Sequence, residues 1–319
     1  MRCGSSSRSR RRRVSTRAPL EVRFGTRASA LALRQTEAVA SALRAAWPSL
    51  RCEIVPLSTT GDRDLDRPIP TFGGKGVFTL EIEAALERGE IQLAVHSLKD
   101  LPTTERPGLV VGAVTRREDP ADALISRERV GLAALAPGAR VGTSSLRRSA
   151  QLRAARPDLR AESIRGNVET RLRKLDEGQY DAIVLALAGL RRVGLEERMT
   201  EKLSLDVMLP APGQGALAVQ RRADDEASAR LLVPIHDVST WAAVTAERSF
   251  LAALEAGCSA PVAALAEVRE GRLEMRALSA TEDGSTVRRV SGTGDPERPH
   301  ELGERLADEV RRLDAASVR

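Results

Sequence analysis

The fold class is decided by residues 141–192, which read VGTSSLRRSAQLRAARPDLRAESIRGNVETRLRKLDEGQYDAIVLALAGLRR. Short β-branched and apolar runs alternate in this stretch with segments that carry apolar residues at helical spacing. In chain order, the pattern predicts a strand ending at Val141, a helix over Ser145–Ala155, a strand over Leu159–Ile164, a helix over Val168–Glu177, a strand over Ala182–Leu187 and a helix starting over Ala188–Arg192. This alternation is typical of an α/β unit.

The same alternation continues on both sides. On the N-terminal side we expect strands over Leu20–Gly25, Arg51–Leu57, Gln92–Val95 and Leu109–Val114, and helices over Ala28–Ala46 and Val77–Arg88. On the C-terminal side we expect a Pro/Gly joint at Met208–Gly215, a strand over Ala216–Gln220 that returns to the first unit, a helix over Val238–Glu255, a hairpin of Val262–Glu267 and Leu273–Ala280, and a helix over His300–Leu313. The chain therefore reads as an α/β protein with a smaller third unit.

The charge of the chain is unevenly distributed. Its 319 residues include 50 Lys+Arg and 44 Asp+Glu, a formal net charge of +6. Residues 1–19 hold seven arginines and no acid, so the remainder carries 43 basic and 44 acidic side chains, a net charge of −1. We interpret residues 1–19 as a disordered basic tail or the product of a misplaced start. Because the body is neutral and aromatic residues are only 2% of the chain, a nucleic-acid-binding module is disfavoured.

The remaining composition predicts a protein of a reducing compartment. Three cysteines, Cys3, Cys52 and Cys258, are too few and too scattered for a disulfide framework or a zinc site. The first residues lack the apolar core of a secretory signal. The run around Ala182–Leu190 is about half of the roughly 20 residues needed to cross a bilayer. We therefore expect a cytoplasmic location, with no membrane, metal or nucleic-acid partner.

Arginines gather where predicted strands lead into predicted helices. Arg27 lies in GTRAS at 25–29, and Arg147 and Arg148 lie in the first turn after GTSS at 142–145. Arg165 and Arg171 flank a third junction, and Arg191 and Arg192 close a fourth. Two cations at a helix N-terminus oppose the helix dipole unless an anion lies there. Since open α/β sheets bind ligands at the carboxyl ends of their strands, we expect a polyanionic ligand.

Three other segments are candidates for chemistry. FGGKGVF at 72–78 is Gly-rich and contains Lys75, but its spacing differs from that of a Walker A loop. VHSLKDLP at 95–102 places Lys99 beside Asp100 at a strand end, either as a proton-handling pair or as a charged turn. Cys258, in the loop EAGCSAPV, is a nucleophile, a covalent tether or an incidental thiol. The length and glycine content of loop 58–76 favour a mobile lid.

Taken in order, these motifs resemble the porphobilinogen deaminase (hydroxymethylbilane synthase) family. The resemblance rests on GTRASALALRQ, GGKGVF, AVHSLKDLPT, GTSSLRRSAQL, RGNVETRL, APGQGAL and the Cys258 loop, and it covers residues 20–319. It implies two periplasmic-binding-protein-like α/β domains flanking a cleft, plus a small α+β domain. By analogy, domain 1 is 20–115 with 216–235, domain 2 is 116–210 and domain 3 is 238–319. A monomer is implied as well.

The resemblance also implies the reaction and its cofactor. Four porphobilinogen molecules are joined head to tail with loss of ammonia, giving the linear hydroxymethylbilane. The primer is a dipyrromethane cofactor held by a thioether, which the match places on Cys258. Each pyrrole carries an acetate and a propionate, so the growing chain adds two carboxylates per step. Arginine forks suit these carboxylates.

Site residues carried over by motif fall into three groups. The catalytic residues are Asp100, which stabilises cationic intermediates, and Lys99. The cofactor-binding residues are Cys258, Lys75, Ser97, Thr143, Ser144, Ser145, Arg147, Arg148, Gly166 and Gln214. The substrate-binding residues are Arg27, Ser29, Gln35, Arg165, Arg171 and Arg192.

One departure and one alternative accompany this interpretation. The family pattern usually has a lysine in the helix after GGKG, where this chain has Leu80, so that carboxylate contact is absent or supplied elsewhere. The alternative is a non-catalytic, two-lobed anion-binding or sensing protein, which would also need the fold and the arginines. Such a protein has no use for Cys258, so a covalent adduct on that residue distinguishes the two.

Overall fold

The structure, a computed structural model, describes residues 21–59, 79–255 and 261–317. The expected basic tail, the loop that carries Lys75 and the loop that carries Cys258 lie outside these residues, as does most of the loop expected to be a lid. Within the described part of the chain, no helix is both long enough and apolar enough to cross a membrane.

The first lobe is a five-stranded sheet covered by helices. Its strands are β1 (Glu21–Arg27), β2 (Arg51–Leu57), β3 (Leu93–Ser97), β4 (Leu109–Val114) and β10 (Leu217–Arg222), in the spatial order β2-β1-β3-β10-β4. Its helices are α1 (Ala30–Ala46), α2 (Leu80–Glu87) and α6 (Glu226–Leu232). β1, β2 and β3 run parallel, whereas β10 is antiparallel to both β3 and β4.

The second lobe repeats this layout. Its strands are β5 (Asp122–Ser126), β6 (Arg140–Gly142), β7 (Arg160–Glu162), β8 (Ala182–Ala186) and β9 (Glu201–Lys202), in the order β7-β6-β8-β5-β9. Its helices are α3 (Leu146–Ala155), α4 (Val168–Asp176) and α5 (Leu187–Arg192). Side-chain caps fix the helix starts: the Asn167 side chain accepts a hydrogen bond from the Thr170 amide at 2.8 Å.

Two segments cross between the lobes, and they lie side by side. The first, 115–121, leads from β4 into β5, and the second, 208–216, leads back into β10. The amide of Glu118 donates to the carbonyl of Gly215, and the amide of Thr115 donates to that of Leu217. Each crossing therefore delivers the antiparallel strand of the lobe that it enters, and the cleft lies beside this double connection.

The C-terminal unit is an antiparallel sheet backed by two helices. Its strands are β11 (Val262–Arg269), β12 (Arg272–Ala280) and β13 (Val287–Gly294), and its helices are α7 (Val238–Ala253) and α8 (Pro299–Ser317). Phe250 and Leu306 are fully buried between helices and sheet. The other face packs Leu265 and Leu278 against Leu209 of the second crossing. The unit is therefore anchored where the lobes join, and α7 ends just before the Cys258 loop.

The expected α/β architecture is confirmed, including the return strand, with four strands and helices added. Sequence analysis missed β5, β9, β13 and α6. β9 has only two residues, too few to show an alternating pattern. β5 begins with a charged residue, Asp122, which is nevertheless fully buried. β13 is an edge strand in which only Val290 is buried, so its sequence lacks the alternation of a half-buried strand. α6 has only seven residues, too few for a clear helical period.

Candidate active-site cleft

A cleft of about 750 Å³ lies between the two lobes. Lobe 1 contributes the end of β1, the start of α1 and the turn after β3, whereas lobe 2 contributes the starts of α3, α4 and α5. Both lobes thus present strand ends and helix starts to the same space, as expected for an open α/β sheet. Twelve of the expected site residues line it: Arg27, Ser29, Gln35, Ser97, Lys99, Asp100, Ser144, Arg148, Arg165, Gly166, Arg171 and Arg192.

The cleft lining is strongly cationic. Its positively charged members are Arg27, Lys99, Arg148, Arg165, Arg171, Lys174 and Arg192. Among the described lining residues Asp100 is the single acid. Cations crowded together repel one another, and this crowding is visible in Arg171: burial, with Arg148 and Arg165 nearby, lowers its pKa to about 10. Such a lining favours a ligand with several carboxylates.

Lys99 and Asp100 lie in one 3-10 turn, Leu98–Asp100, that directly follows β3. Burial, with Arg148 nearby, lowers the pKa of Lys99 to about 8, and Asp100 and Asp122 oppose the shift. The ammonium donates a hydrogen bond to Oε1 of Gln214 at 3.2 Å. Asp100 remains exposed at the cleft surface, where its carboxylate is available to a bound molecule.

Asp122 is a buried anion at the centre of this cationic site. Its side chain is fully buried, and its oxygens lie 2.7 Å from Nη2 of Arg148 and 2.8 Å from Nη1 of Arg147. Nε2 of Gln214 donates to it at 2.8 Å. Although burial alone would raise the pKa of Asp122, Arg147, Arg148 and Lys99 hold it well below its usual value. The two arginines that begin α3 therefore share an anion that the chain itself supplies.

Four expected cofactor-binding residues lie beside the cleft rather than in its lining. Arg147 donates from Nη1 to the carbonyl of Leu209 at 2.8 Å and is 4% exposed. The hydroxyl of Ser145 caps α3 by accepting from the Arg148 amide at 3.5 Å. Thr143 accepts from the Ser145 amide at 3.2 Å. Gln214 is fully buried behind Lys99. All four hold the α3 start or the crossing in place.

The other expected polar residues are held by hydrogen bonds within their own lobe. Ser29 caps α1 through the Ala32 amide at 3.3 Å. Nε2 of Gln35 donates to Oγ of Ser97 at 2.9 Å, which ties α1 to the end of β3. Oγ of Ser144 donates to the Ile164 carbonyl at 2.6 Å. These bonds fix the cleft wall while leaving the side chains in its lining.

The turn before α4 aims a further arginine. Gly166 has φ +112°, and a Cβ atom there would approach Thr170 to 2.6 Å, so glycine is required. Its carbonyl accepts from Nε of Arg171 at 2.9 Å. Across the cleft floor, Arg192 donates from Nη2 to the carbonyl of Gly215 at 2.6 Å, and burial lowers its pKa. Both arginines thus donate to backbone carbonyls, which carry no net charge.

His96, in the same motif as Lys99, serves a different purpose. It is 7% exposed, and burial, offset in part by Gln220, lowers its pKa to about 4. The imidazole is therefore neutral near pH 7. It lies outside the described cleft lining, which favours the interpretation of a core histidine over that of a proton donor to a ligand.

Sequence reasoning missed two charged residues of the site. Lys174, in the last turn of α4, lines the cleft and donates to the carbonyl of Arg165 at 3.3 Å; its place as one of only four lysines was the available signal. Asp122 had no local signal, because its partners are 25 or more residues away. Leu80, at the start of α2, is 49% exposed and outside the described lining, so the family's lysine contact has no counterpart at this position.

Comparisons with known proteins agree with these motifs. Residues 22–230 match the family model described as porphobilinogen deaminase, dipyromethane cofactor binding domain, and residues 241–312 match the porphobilinogen deaminase C-terminal domain. A porphobilinogen deaminase of Roseiflexus sp. (strain RS-1) is 52% identical over 287 residues, covering 90% of this chain and 94% of that protein. One of Syntrophobacter fumaroxidans is 46% identical over 298 residues, covering 93% and 96%.

Solved structures show a more distant likeness. A methionine binding protein matches with a TM-score of 0.43 and 13% identity, covering 68% of this chain and 90% of that chain. The periplasmic aliphatic sulphonate binding protein of Escherichia coli matches with a TM-score of 0.39 and 14% identity, covering 76% and 72%. Family membership rests on the sequence matches alone. Because two family models span most of the chain and relatives about half identical to it cover nine-tenths of it, the chain belongs to the porphobilinogen deaminase family.

Proposed function

We propose that this protein joins four porphobilinogen molecules head to tail, releasing ammonia, to give the linear tetrapyrrole hydroxymethylbilane. One observation carries the proposal beyond family membership: the cleft of this chain brings seven cations around a single described acid, Asp100. The substrate and its product are polycarboxylates whose condensation passes through cations. A cationic wall with one carboxylate matches both requirements. Family membership favours this enzyme over a non-catalytic anion-binding protein.

The described residues fit a dipyrromethane cofactor. Two pyrroles carry four carboxylates, and the cleft offers Lys99, Arg148, Arg165 and Arg171 near the Asp100 turn. Among these cations, Lys99 donates to the side-chain oxygen of Gln214 and Arg171 donates from Nε to the carbonyl of Gly166. Both side chains have further N–H groups that can pair with ligand carboxylates. When bound, the cofactor supplies the primer to which substrate is added. We propose that Cys258, which lies outside the described residues, carries it, and that Lys75 contacts it.

The residues of this chain then divide the work. Arg27 and Arg192, with Ser29 and Gln35 beside them, bind and orient the carboxylates of the incoming substrate. Loss of ammonia from that substrate leaves a cation, and the Asp100 carboxylate stabilises it through the pyrrole N–H. Asp100 can also accept the proton that leaves when the new bond forms. Lys99 places a positive charge beside Asp100 in the same turn, where it can pair with a carboxylate of a bound molecule.

We further propose that the two lobes and the C-terminal unit are the domains expected from the sequence, at 20–115 with 216–235, at 116–210 and at 238–319. A monomer in the cytoplasm is the state that the family resemblance and the sparse cysteines support. The observed sheets, which group the strands in this way, support the division into domains.

The test of the proposed function is the mass of the purified chain. We expect intact-mass spectrometry to show an adduct of dipyrromethane size, and incubation with porphobilinogen to release ammonia. Cys258→Ser is expected to lack the adduct, whereas Cys52→Ser, which changes a half-buried strand residue, keeps it. An unmodified wild-type chain that releases no ammonia would contradict the proposal.

The lowered pKa of Lys99 predicts an alkaline limit to activity. Lysine is charged below its pKa of about 8 and neutral above it, so kcat/KM should fall as pH rises through about 8. Arginine stays protonated to much higher pH, so Lys99→Arg should move this fall upward by at least about one pH unit. Lys202→Arg, at an exposed ion pair, is the control for titration of the substrate. If the pH midpoint of this fall in kcat/KM were unchanged in Lys99→Arg, the fall would be caused by titration of another group.

A further inference from the structure

Asp122 occupies an unusual place for a charged residue. It is the first residue of β5, directly after the first crossing between the lobes, and its side chain is fully buried. A buried carboxylate is costly unless cations and hydrogen bonds compensate it. The groups that offset the buried charge of Asp122 therefore identify the parts of the structure that this residue links.

The partners of Asp122 come from three parts of the molecule. Arg148, at 2.7 Å, belongs to the start of α3 in lobe 2 and also lines the cleft. Gln214, at 2.8 Å, belongs to the second crossing, and its Oε1 accepts from Nζ of Lys99 in lobe 1 at 3.2 Å. The Asp122 carboxylate thus contacts Arg148, a cleft cation of lobe 2, directly. Through the side-chain amide of Gln214 it is linked to Lys99, a cleft cation of lobe 1.

The amide of Gln214 is held in the one orientation that makes this link. Its Nε2 donates to the carbonyl of Pro120 at 2.7 Å as well as to Asp122, so its oxygen must face Lys99. With the amide fixed, the Lys99 ammonium has a defined acceptor. The chain of contacts runs Arg148, Asp122, Gln214 and Lys99, and it passes through the second crossing and the residue that directly follows the first.

Arg147 is the third side chain that contacts Asp122. It lies 2.8 Å from the second oxygen of Asp122 and outside the described cleft lining. Since Arg148 has its own hydrogen bond to the Val184 carbonyl at 3.1 Å, its guanidinium is fixed on two sides. The shared anion offsets part of the repulsion among Lys99, Arg147 and Arg148.

We propose that Asp122 is a positioning residue for the condensation reaction: its buried carboxylate fixes Arg148 directly and Lys99 through Gln214, so that cations from both lobes face the bound cofactor. The inference rests on the proposed function. A purely structural Asp122 would stabilise the crossing without affecting either cation. The experiment must therefore measure a property of the cations.

The first experiment measures Lys99 without using activity. The charged groups that face Lys99 are Asp100, Asp122, Arg147 and Arg148, so Asp122→Asn removes one of two anions. We expect the pH midpoint at which Lys99 becomes acetylated by acetic anhydride to fall by about one pH unit, read by peptide mass spectrometry. The chain has four lysines, and the exposed Lys202 in the same sample is the internal reference.

The second experiment measures turnover. Asp122→Asn is expected to lower kcat for porphobilinogen by at least about tenfold, because displaced groups lose their alignment with the reacting atoms. Asp158→Asn, which removes an exposed partner of Arg156 in the same lobe, should keep kcat within about twofold.

A charge-balanced pair of variants keeps the inference testable if Asp122→Asn does not fold. Asp122→Asn/Arg147→Gln removes one buried charge of each sign, and Arg147→Gln alone is its reference. We expect the double variant to turn over at least about tenfold more slowly than Arg147→Gln, because Arg148 and Gln214 have lost the carboxylate that fixes them. Equal turnover in these two variants, or an unchanged Lys99 midpoint in folded Asp122→Asn, would overturn the inference. An inactive wild-type chain without adduct would instead contradict the proposed function, while the acetylation midpoint would still test the link from Asp122 to Lys99.

Discussion

Asp100→Asn is expected to lower kcat for porphobilinogen by about 100-fold or more, while the fold and the cofactor adduct are retained. The substitution keeps the size of the side chain and removes its charge. A preorganised group that stabilises charge in the transition state typically contributes 10²–10³ in rate. Asp100 is the one acid among the described residues that line the cleft, so no other described lining residue can replace it.

The retention of fold and adduct separates this prediction from a structural effect. Asp100 is exposed in a surface turn, so its loss should change the melting temperature little. Intact mass and thermal unfolding of the purified variant check this, and single-turnover kinetics locate the lost step. Glu105→Gln, at an exposed acid a few residues further along the chain, is the matched control and should keep near wild-type turnover. Near wild-type turnover in Asp100→Asn would show that another group stabilises the cation.

The arginine clusters illustrate how far local pattern can lead. Cations at helix starts predict an anion beside them, because that argument depends only on the helix dipole, and the carboxylate of Asp122 lies against Arg147 and Arg148. The pattern could not distinguish Arg147 from Arg148. Neighbouring residues of a helix point about 100° apart, so one guanidinium lines the cleft while the other turns to the Leu209 carbonyl. Which of them faces the ligand depends on how α3 packs.

Asp122 marks the limit of sequence reasoning at the site. The argument that adjacent arginines need an anion was sound, but part of that anion is this internal carboxylate rather than a ligand. Its partners lie far along the chain, and its burial contradicts what a charged residue predicts locally. The same buried charge concealed β5, which is an interior strand of lobe 2. One tertiary interaction therefore explains both errors.

The order of the motifs along the chain identified site residues that no local sequence pattern could identify. Lys99 and Asp100 alone could have been a charged turn, and the carboxyl end of β3 is what places them in a cleft. The parallel pairing of β3 with β1 follows from the alternation of strands and helices. In contrast, β13 pairs along its whole length with β12 but buries few side chains. Its strand conformation is therefore determined by backbone pairing with β12, which the sequence pattern does not show.

A second large effect is expected at Glu247, whose replacement by glutamine should lower the free energy of unfolding by about 3–5 kcal/mol. Glu247, on α7, is fully buried. Its oxygens accept from Nη1 of Arg117 at 2.5 Å, from the Gly213 amide at 2.6 Å and from the Ala266 amide at 2.8 Å. One carboxylate thus joins the C-terminal unit to both crossings between the lobes.

Glutamine cannot replace these contacts, because its amide nitrogen would face donors. Arg117, 11% exposed, would keep a buried charge without a carboxylate. Urea and thermal unfolding, followed by circular dichroism, measure the loss. Glu267→Gln, at an exposed pair with Arg269, should change stability by no more than about 0.5 kcal/mol. The charge-free pair Glu247→Met/Arg117→Met should recover part of the loss, since removing both buried charges costs less than stranding one. Wild-type stability in Glu247→Gln would mean that the C-terminal unit is held to the crossings by its apolar face against Leu209 rather than by this carboxylate.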